Sequence, residues 1–172
     1  MIFNTNIEKI MLLFLREPLK GFHLREIERV AKIGLPSVKK YVDFLLKDGL
    51  IKKEKYGVYF NYSANRDSRN FKLLNRFYLL TNLNFVVEEI SEKVHPNVII
   101  LFGSASKGED TEKSDIDIFV QSKRKSFDFS KIESKLNRKI NLLFEPNILN
   151  INKNLFNSII NGIVLQGVLE AK

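Results

Sequence analysis

The sequence predicts an α+β (α/β) chain in two parts: helices closed by a β-hairpin at the N-terminal end, and a small mixed sheet flanked by helices at the C-terminal end. Three observations predict it. Apolar residues recur at helical spacing through residues 6–47. Two short β-rich runs, 50–56 and 58–62, follow with Gly57 between them. Farther on, apolar runs at 98–102 and 116–120 bracket a Gly103-Ser104 turn and an Asp115-Ile116-Asp117 triplet.

The first helix is set by Ile7, Ile10, Met11, Phe14 and Leu15, and Pro18 and Gly21 end it. Residues 23–32 form a second helix with Leu24, Ile27 and Val30 on one face. A turn through Gly34 leads to a third helix over 36–47, where Pro36 is acceptable because a first-turn N–H is not needed. Its apolar face is Val38, Tyr41, Val42, Leu45 and Leu46, and Asp48-Gly49 stops it. The two runs on either side of Gly57 read as a hairpin, although Tyr56-Gly57 is not a favoured two-residue turn.

Composition narrows the function classes. With 172 residues the chain holds one domain or two small ones, and 44% apolar residues suffice for a packed core. It has no cysteine, which rules out a disulfide framework, a thiolate metal site and a cysteine nucleophile, and leans toward a cytoplasmic setting. The apolar run 10–15 is too short to span a bilayer. The net charge is +8 and uneven: residues 1–65 carry twelve Lys/Arg against seven Asp/Glu. A basic N-terminal part suits a polyanionic partner, and equally a solvated Lys-rich surface.

Helix, helix, turn, helix, hairpin is the order of a winged helix-turn-helix, and residues 45–65, LLKDGLIKKEKYGVYFNYSAN, resemble the recognition-helix end and wing of prokaryotic regulators of that class. The resemblance implies DNA binding by 1–65, with Ser37, Lys39 and Lys40 in the major groove. Lys52, Lys53, Lys55 and Tyr56 would lie on the wing, and Arg25 and Arg29 are candidate phosphate contacts. A dimerisation or protein-docking module has the same pattern. Regulators of this class commonly pair, which adds a homodimer to the expectations.

Residues 66–96 form a helical connector, one or two helices with a break near Thr81-Asn82. Its aromatic content suits burial either against a second subunit or on the C-terminal sheet. His95-Pro96 ends it, because the residue before proline disfavours the α conformation.

Residues 97–172 carry the chemistry. Strands are expected at 97–102, 116–121 and 139–144, and helices at 127–136 and 151–160. Successive strand side chains alternate faces, so Asp115 and Asp117 point the same way, about 7 Å apart, while Ile116, Ile118 and Val120 enter a core. Two carboxylates on one face suit hard divalent cations that bring substrate phosphates with them. Gly103-Ser104 lets backbone N–H groups approach those phosphates.

Gly103-Ser104, ten residues, Asp115-x-Asp117, with Gly108 and Ser114 between, resembles the signature of the DNA polymerase β-like nucleotidyltransferases, above all their minimal members. The resemblance implies a polymerase β-like fold and transfer of a nucleoside monophosphate from an NTP, ATP first among them. It makes Asp115 and Asp117 the catalytic ligands of Mg²⁺ (or Mn²⁺), and Gly103, Ser104, Lys107, Gly108 and Ser114 the nucleotide contacts. Lys107 stands where relatives usually have Arg, which keeps the charge and loses the fork. Small relatives often act as antitoxins that modify a helical partner of the HEPN class.

One position departs from the pattern. The third carboxylate of active relatives maps to Asn141, whose amide carries no charge and takes no proton at neutral pH. Glu145 lies about 13 Å farther along the strand and is a poor substitute. Two readings therefore stand: a nucleotidyltransferase, and a DNA-binding regulator whose degenerate domain senses nucleotide.

Overall fold

A computed structural model describes residues 5–169. The chain divides into two compact units, Met1–Asn75 and Arg76–Lys172.

The first unit holds three helices and a hairpin: α1 Asn6–Arg16, α2 Leu24–Ala31, α3 Leu35–Lys47, β1 Ile51–Tyr56 and β2 Tyr59–Ala64. Thr5 opens α1 with a capping box, its hydroxyl accepting from the Glu8 N–H while the Glu8 carboxylate accepts from the Thr5 N–H. Glu28 fixes the turn into α3, because its Oε1 accepts from the Leu35 N–H at 3.1 Å. Ile10, Phe14, Phe22, Ile27, Val38 and Val42 close the core. Phe14 meets Phe22 edge to face at 5.4 Å. Val30, expected on the inward face of α2, is instead exposed, because three-residue steps drift round the helix and carry it about 60° past the buried Ile27, on the side away from Leu24.

The hairpin pairs Tyr56 with Tyr59, so its loop is Gly57-Val58, one residue beyond the expected turn. Gly57 at φ +62° occupies the first loop position, where hairpin twist demands positive φ and glycine supplies it without strain.

The connector is one unbroken helix, α4 Arg69–Val94. No break occurs at Thr81-Asn82, because the Thr81 hydroxyl and the Asn82 amide both donate to the Tyr78 carbonyl at 2.8 Å and stay within the helix's own hydrogen bonding.

The second unit is built on a four-stranded sheet, in order β5-β4-β3-β6. Its strands are β3 Val98–Phe102, β4 Ile116–Val120, β5 Ile140–Phe144 and β6 Ile163–Gly167. Strand β3 runs antiparallel to β4 and β6, and β4 runs parallel to β5, so the sheet is mixed. The helices are α5 Gly103–Lys107, α6 Ser130–Leu136 and α7 Lys153–Ile160, with a 3₁₀ turn at Ile148–Asn150. The α6 helix starts three residues later than expected; Phe127 and Phe129 before it stack 5.4 Å apart instead. The segment 163–167 after the last helix becomes the fourth strand, bulged where the register shifts beside Ile99/Ile100.

Alternation along β4 sorts the sheet into two apolar layers. Ile116, Ile118 and Val120 join Ile99 and Leu101 under Leu79, Leu83, Val86 and Ile90 of α4. Phe119 joins Val98, Ile100 and Phe102 on the other side, with Ile148 and Ile159. Asp117 shares the Phe119 side by the same alternation. A carboxylate is thereby held at the end of a strand buried on both faces.

Candidate nucleotide-binding site

The site forms where β3, β4 and β5 end together. Phe102 at the end of β3 pairs with Asp117 of β4, and Asp117 pairs in parallel register with Asn141 of β5. Gly103 directly follows β3 at φ +74°, so its N–H and carbonyl turn into α5. A Cβ there would sit 2.9 Å from Asp117 Oδ2. Only glycine lets the backbone pass that close to the carboxylate.

Asp115 stands exposed just ahead of β4, and Asp117 is half-buried within it. The Asn141 amide joins them. Its Nδ2 donates to Asp115 Oδ2 and to Asp117 Oδ1, each at 3.2 Å. Two like charges on one face are held together by a neutral donor, which reduces their repulsion without neutralising it. Among the described residues, no group of three or more His, Cys, Asp or Glu side chains is placed to hold a metal ion. Glu145 is engaged elsewhere: its Oε1 accepts from the Asn147 N–H and the Asn150 amide at 3.1 Å each.

The donor set fits one hard divalent cation. Two carboxylate oxygens supply charge, and Mg²⁺ completes its shell from water and substrate phosphates rather than from a protein cage. It does not fit the paired carboxylates that a second ion needs, because Asn141 offers an amide in that place.

The remaining expected residues arrange around this point. Ser104 is half-buried in α5, and its carbonyl accepts from the Glu109 N–H at 3.1 Å. Lys107 is exposed at the end of that helix, and Gly108 at φ +72° turns the chain away. Ser114 serves the loop, its hydroxyl accepting from the Thr111 N–H at 3.0 Å.

Sequence reasoning missed what holds that loop. Arg138, just ahead of β5, donates from Nε to the Ser114 carbonyl at 2.6 Å and from Nη2 to the Asp115 carbonyl at 3.2 Å. Its Nη1 pairs with Asp110. The two side chains are only 9% and 3% exposed, so this is a buried ion pair whose guanidinium also bonds two backbone carbonyls. In sequence Asp110 is one of several carboxylates in a polar stretch, and no spacing ties it to Arg138 twenty-eight residues away.

In the first unit, Lys39 and Lys40 are exposed on α3, Ser37 is half-buried, and Arg29 is exposed on α2. Arg25 pairs with Glu28 at 3.0 Å, and Lys52 with Glu54 at 3.1 Å. Lys53 lies 3.9 Å above the Phe60 ring. Lys55 is exposed, and Tyr56 is 75% exposed. Val58, Tyr59 and Phe60, not singled out by sequence, are also exposed beside them.

No helix among the described residues is long and apolar enough to cross a membrane. No curated protein matches the chain. A family model described as polymerase beta, nucleotidyltransferase matches residues 84–169, half of the chain and the whole of the site. With its Gly103 turn, its carboxylates at the head of β4 and that match, the chain belongs to the polymerase β nucleotidyltransferase family.

Proposed function

We propose that the second unit binds an NTP, ATP first among the candidates, with one Mg²⁺ (or Mn²⁺), and transfers its nucleoside monophosphate to a hydroxyl acceptor. The observation that carries this is the convergence of Gly103, Asp115 and Asp117 at one strand end, with glycine required for the backbone to pass the Asp117 carboxylate.

Asp115 and Asp117 would hold the cation, which when bound would neutralise phosphate charge and polarise the α-phosphorus. The Gly103 and Ser104 backbone and the Lys107 ammonium would face phosphate oxygens, and Arg138 keeps Asp115 in place through its carbonyl. The acceptor oxygen forms the new bond to the α-phosphorus as the bond to pyrophosphate breaks. Asn141 cannot take the acceptor's proton, so that proton leaves to water. Phosphoryl-transfer catalysis is mostly positioning and charge neutralisation, so the uncharged third position lowers rate more than nucleotide affinity. Resemblance to small antitoxins makes a hydroxyl on a HEPN-class protein one candidate acceptor. The basic surface of α3 and the hairpin supports a second role in DNA binding by a winged helix-turn-helix.

One observation favours the alternative of a nucleotide-sensing DNA-binding regulator: the Asn141 amide bonded to both carboxylates. Incubation with α-labelled NTPs, Mg²⁺ and host lysate separates the two. Labelled macromolecules that vanish with Asp115→Ala/Asp117→Ala support the enzyme. Labelling by Asn141→Asp alone supports the regulator. Silence from every variant, with nucleotide still bound, removes the transferase reading.

A further inference from the structure

The outer edge of β5 is open. Two hydrogen bonds fix which of its residues face outward: the Ile116 N–H donates to the Lys139 carbonyl at 2.8 Å, and the Glu145 N–H to the Val120 carbonyl at 3.3 Å. In a parallel ladder alternate residues bond the same neighbour, so the odd-numbered residues of β5 serve β4. Ile140, Leu142 and Phe144 turn their N–H and C=O groups outward. β5 ends the sheet order, so no further strand receives them. Glu133 takes one, its Oε1 accepting from the Ile140 N–H at 2.8 Å. Among the described residues, nothing accepts from the Leu142 and Phe144 N–H groups.

The features that blunt an edge are missing from this one. Ile140-Asn141-Leu142-Leu143-Phe144 holds no proline and no charge, whereas β6 at the opposite edge is bulged. Beside the β5 edge runs a groove of about 350 Å³, lined by Ile140, Leu142, Phe144, Phe127 and Phe129. Phe127 stacks on Phe129 at 5.4 Å and on Phe144 at 6.0 Å, so its apolar wall is an aromatic stack. An added strand uses both features: main-chain groups for affinity, and a pocket for alternate side chains.

Charge says what kind of strand fits. The crossover from β4 to β5, residues 123–139, carries seven Lys/Arg against two Asp/Glu. Both carboxylates already accept from backbone N–H groups, Asp128 from Ser130 and Glu133 from Ile140. Arg124 lines the groove and is exposed. A second copy would bring the same basic crossover against this one. An acidic segment meets opposite charge instead.

We propose that β5 takes up an extended, acidic segment of a partner protein as a fifth strand, with apolar side chains seated against the Phe127–Phe129–Phe144 stack. The proposal is independent of the nucleotide reading.

The test selects binders to the full chain from a displayed random-peptide library. Enriched peptides should alternate apolar with acidic residues. When bound, they should slow hydrogen exchange at the Leu142 and Phe144 amides. Leu142→Pro removes an outward N–H and leaves the β4 ladder intact, since proline is tolerated on edge strands. It should weaken these peptides at least about tenfold, the worth of one lost hydrogen bond, and Arg124→Glu should weaken them as well. Failure to enrich any peptide overturns the proposal. So does enrichment of basic peptides, or equal binding to Leu142→Pro in a chain that still melts cooperatively. Protection of Leu142 and Phe144 that grows with protein concentration alone would make the occupant a second copy and overturn it too. The exchange and Arg124→Glu arms do not depend on how Leu142→Pro folds.

Discussion

Two polar clusters lie within a few residues of each other in the second unit, and they are built on opposite principles. At Asp110 and Arg138 the carboxylate meets a guanidinium in a dry setting, and the remaining donors go to the Ser114 and Asp115 carbonyls. At Asp115 and Asp117 two carboxylates share only the neutral Asn141 amide. The first cluster is matched within the chain and is structural. The second keeps net negative charge at an open strand end, and that is what a cation-bound polyphosphate can use. On the proposed reading, function sits where charge is left unbalanced, and Arg138 of the balanced cluster nearby holds the Asp115 carbonyl in position.

The comparison can be broken at either cluster. The largest effect belongs to Asp115→Ala/Asp117→Ala: Mg²⁺-dependent nucleotide binding, read by calorimetry, should fall at least about 100-fold, the upper range for loss of metal-site groups. Thermal stability should hold or rise, since like-charge repulsion is relieved. Arg138→Ala removes the guanidinium from a buried ion pair and should cost about 3–5 kcal/mol in denaturant unfolding. Adding Asp110→Ala to it should cost less than the two single changes together, since the ion pair is then removed whole. If both clusters behaved alike in these experiments, the division between structural and functional charge would be wrong.

Gly103→Ala probes the seam between the clusters. It forces a side chain into a left-handed backbone position and against Asp117 Oδ2, at about 1–2 kcal/mol. Nucleotide affinity should fall with it, and a melt that drops while affinity holds would separate Gly103 from the site. The smallest effect is the control in the other unit. Thr5→Ala removes the cap of α1 and should cost about 1 kcal/mol with nucleotide binding unchanged.

Much of this was legible in the sequence, for identifiable reasons. The alternation through 116–120 placed Ile116, Ile118 and Val120 in the core and Asp117 opposite, as the β4 layers show. Asn141, read from sequence as the third position, stands beside Asp117 in the parallel β4–β5 register. Arg138 and Asp110 were not readable, since their pairing depends on two loops meeting in space. Nor was the fourth strand, a short run that pairs with β3 far back in the chain and meets it through a bulge. The Thr81-Asn82 break was a misreading of local propensity, corrected by side chains that bond back to Tyr78. Val30 points outward because its three-residue step from Ile27 carries it round the helix away from the core face.

The central claim is that Asn141 leaves room for one cation where three carboxylates would hold two. Its most direct test counts Mn²⁺ ions bound to the protein by electron paramagnetic resonance, with a saturating non-hydrolysable NTP analogue. The account predicts a single tightly held ion per protein–nucleotide complex in the wild type and a second in Asn141→Asp. Two ions in the wild type, or one that survives Asp115→Ala/Asp117→Ala at unchanged affinity, would contradict it.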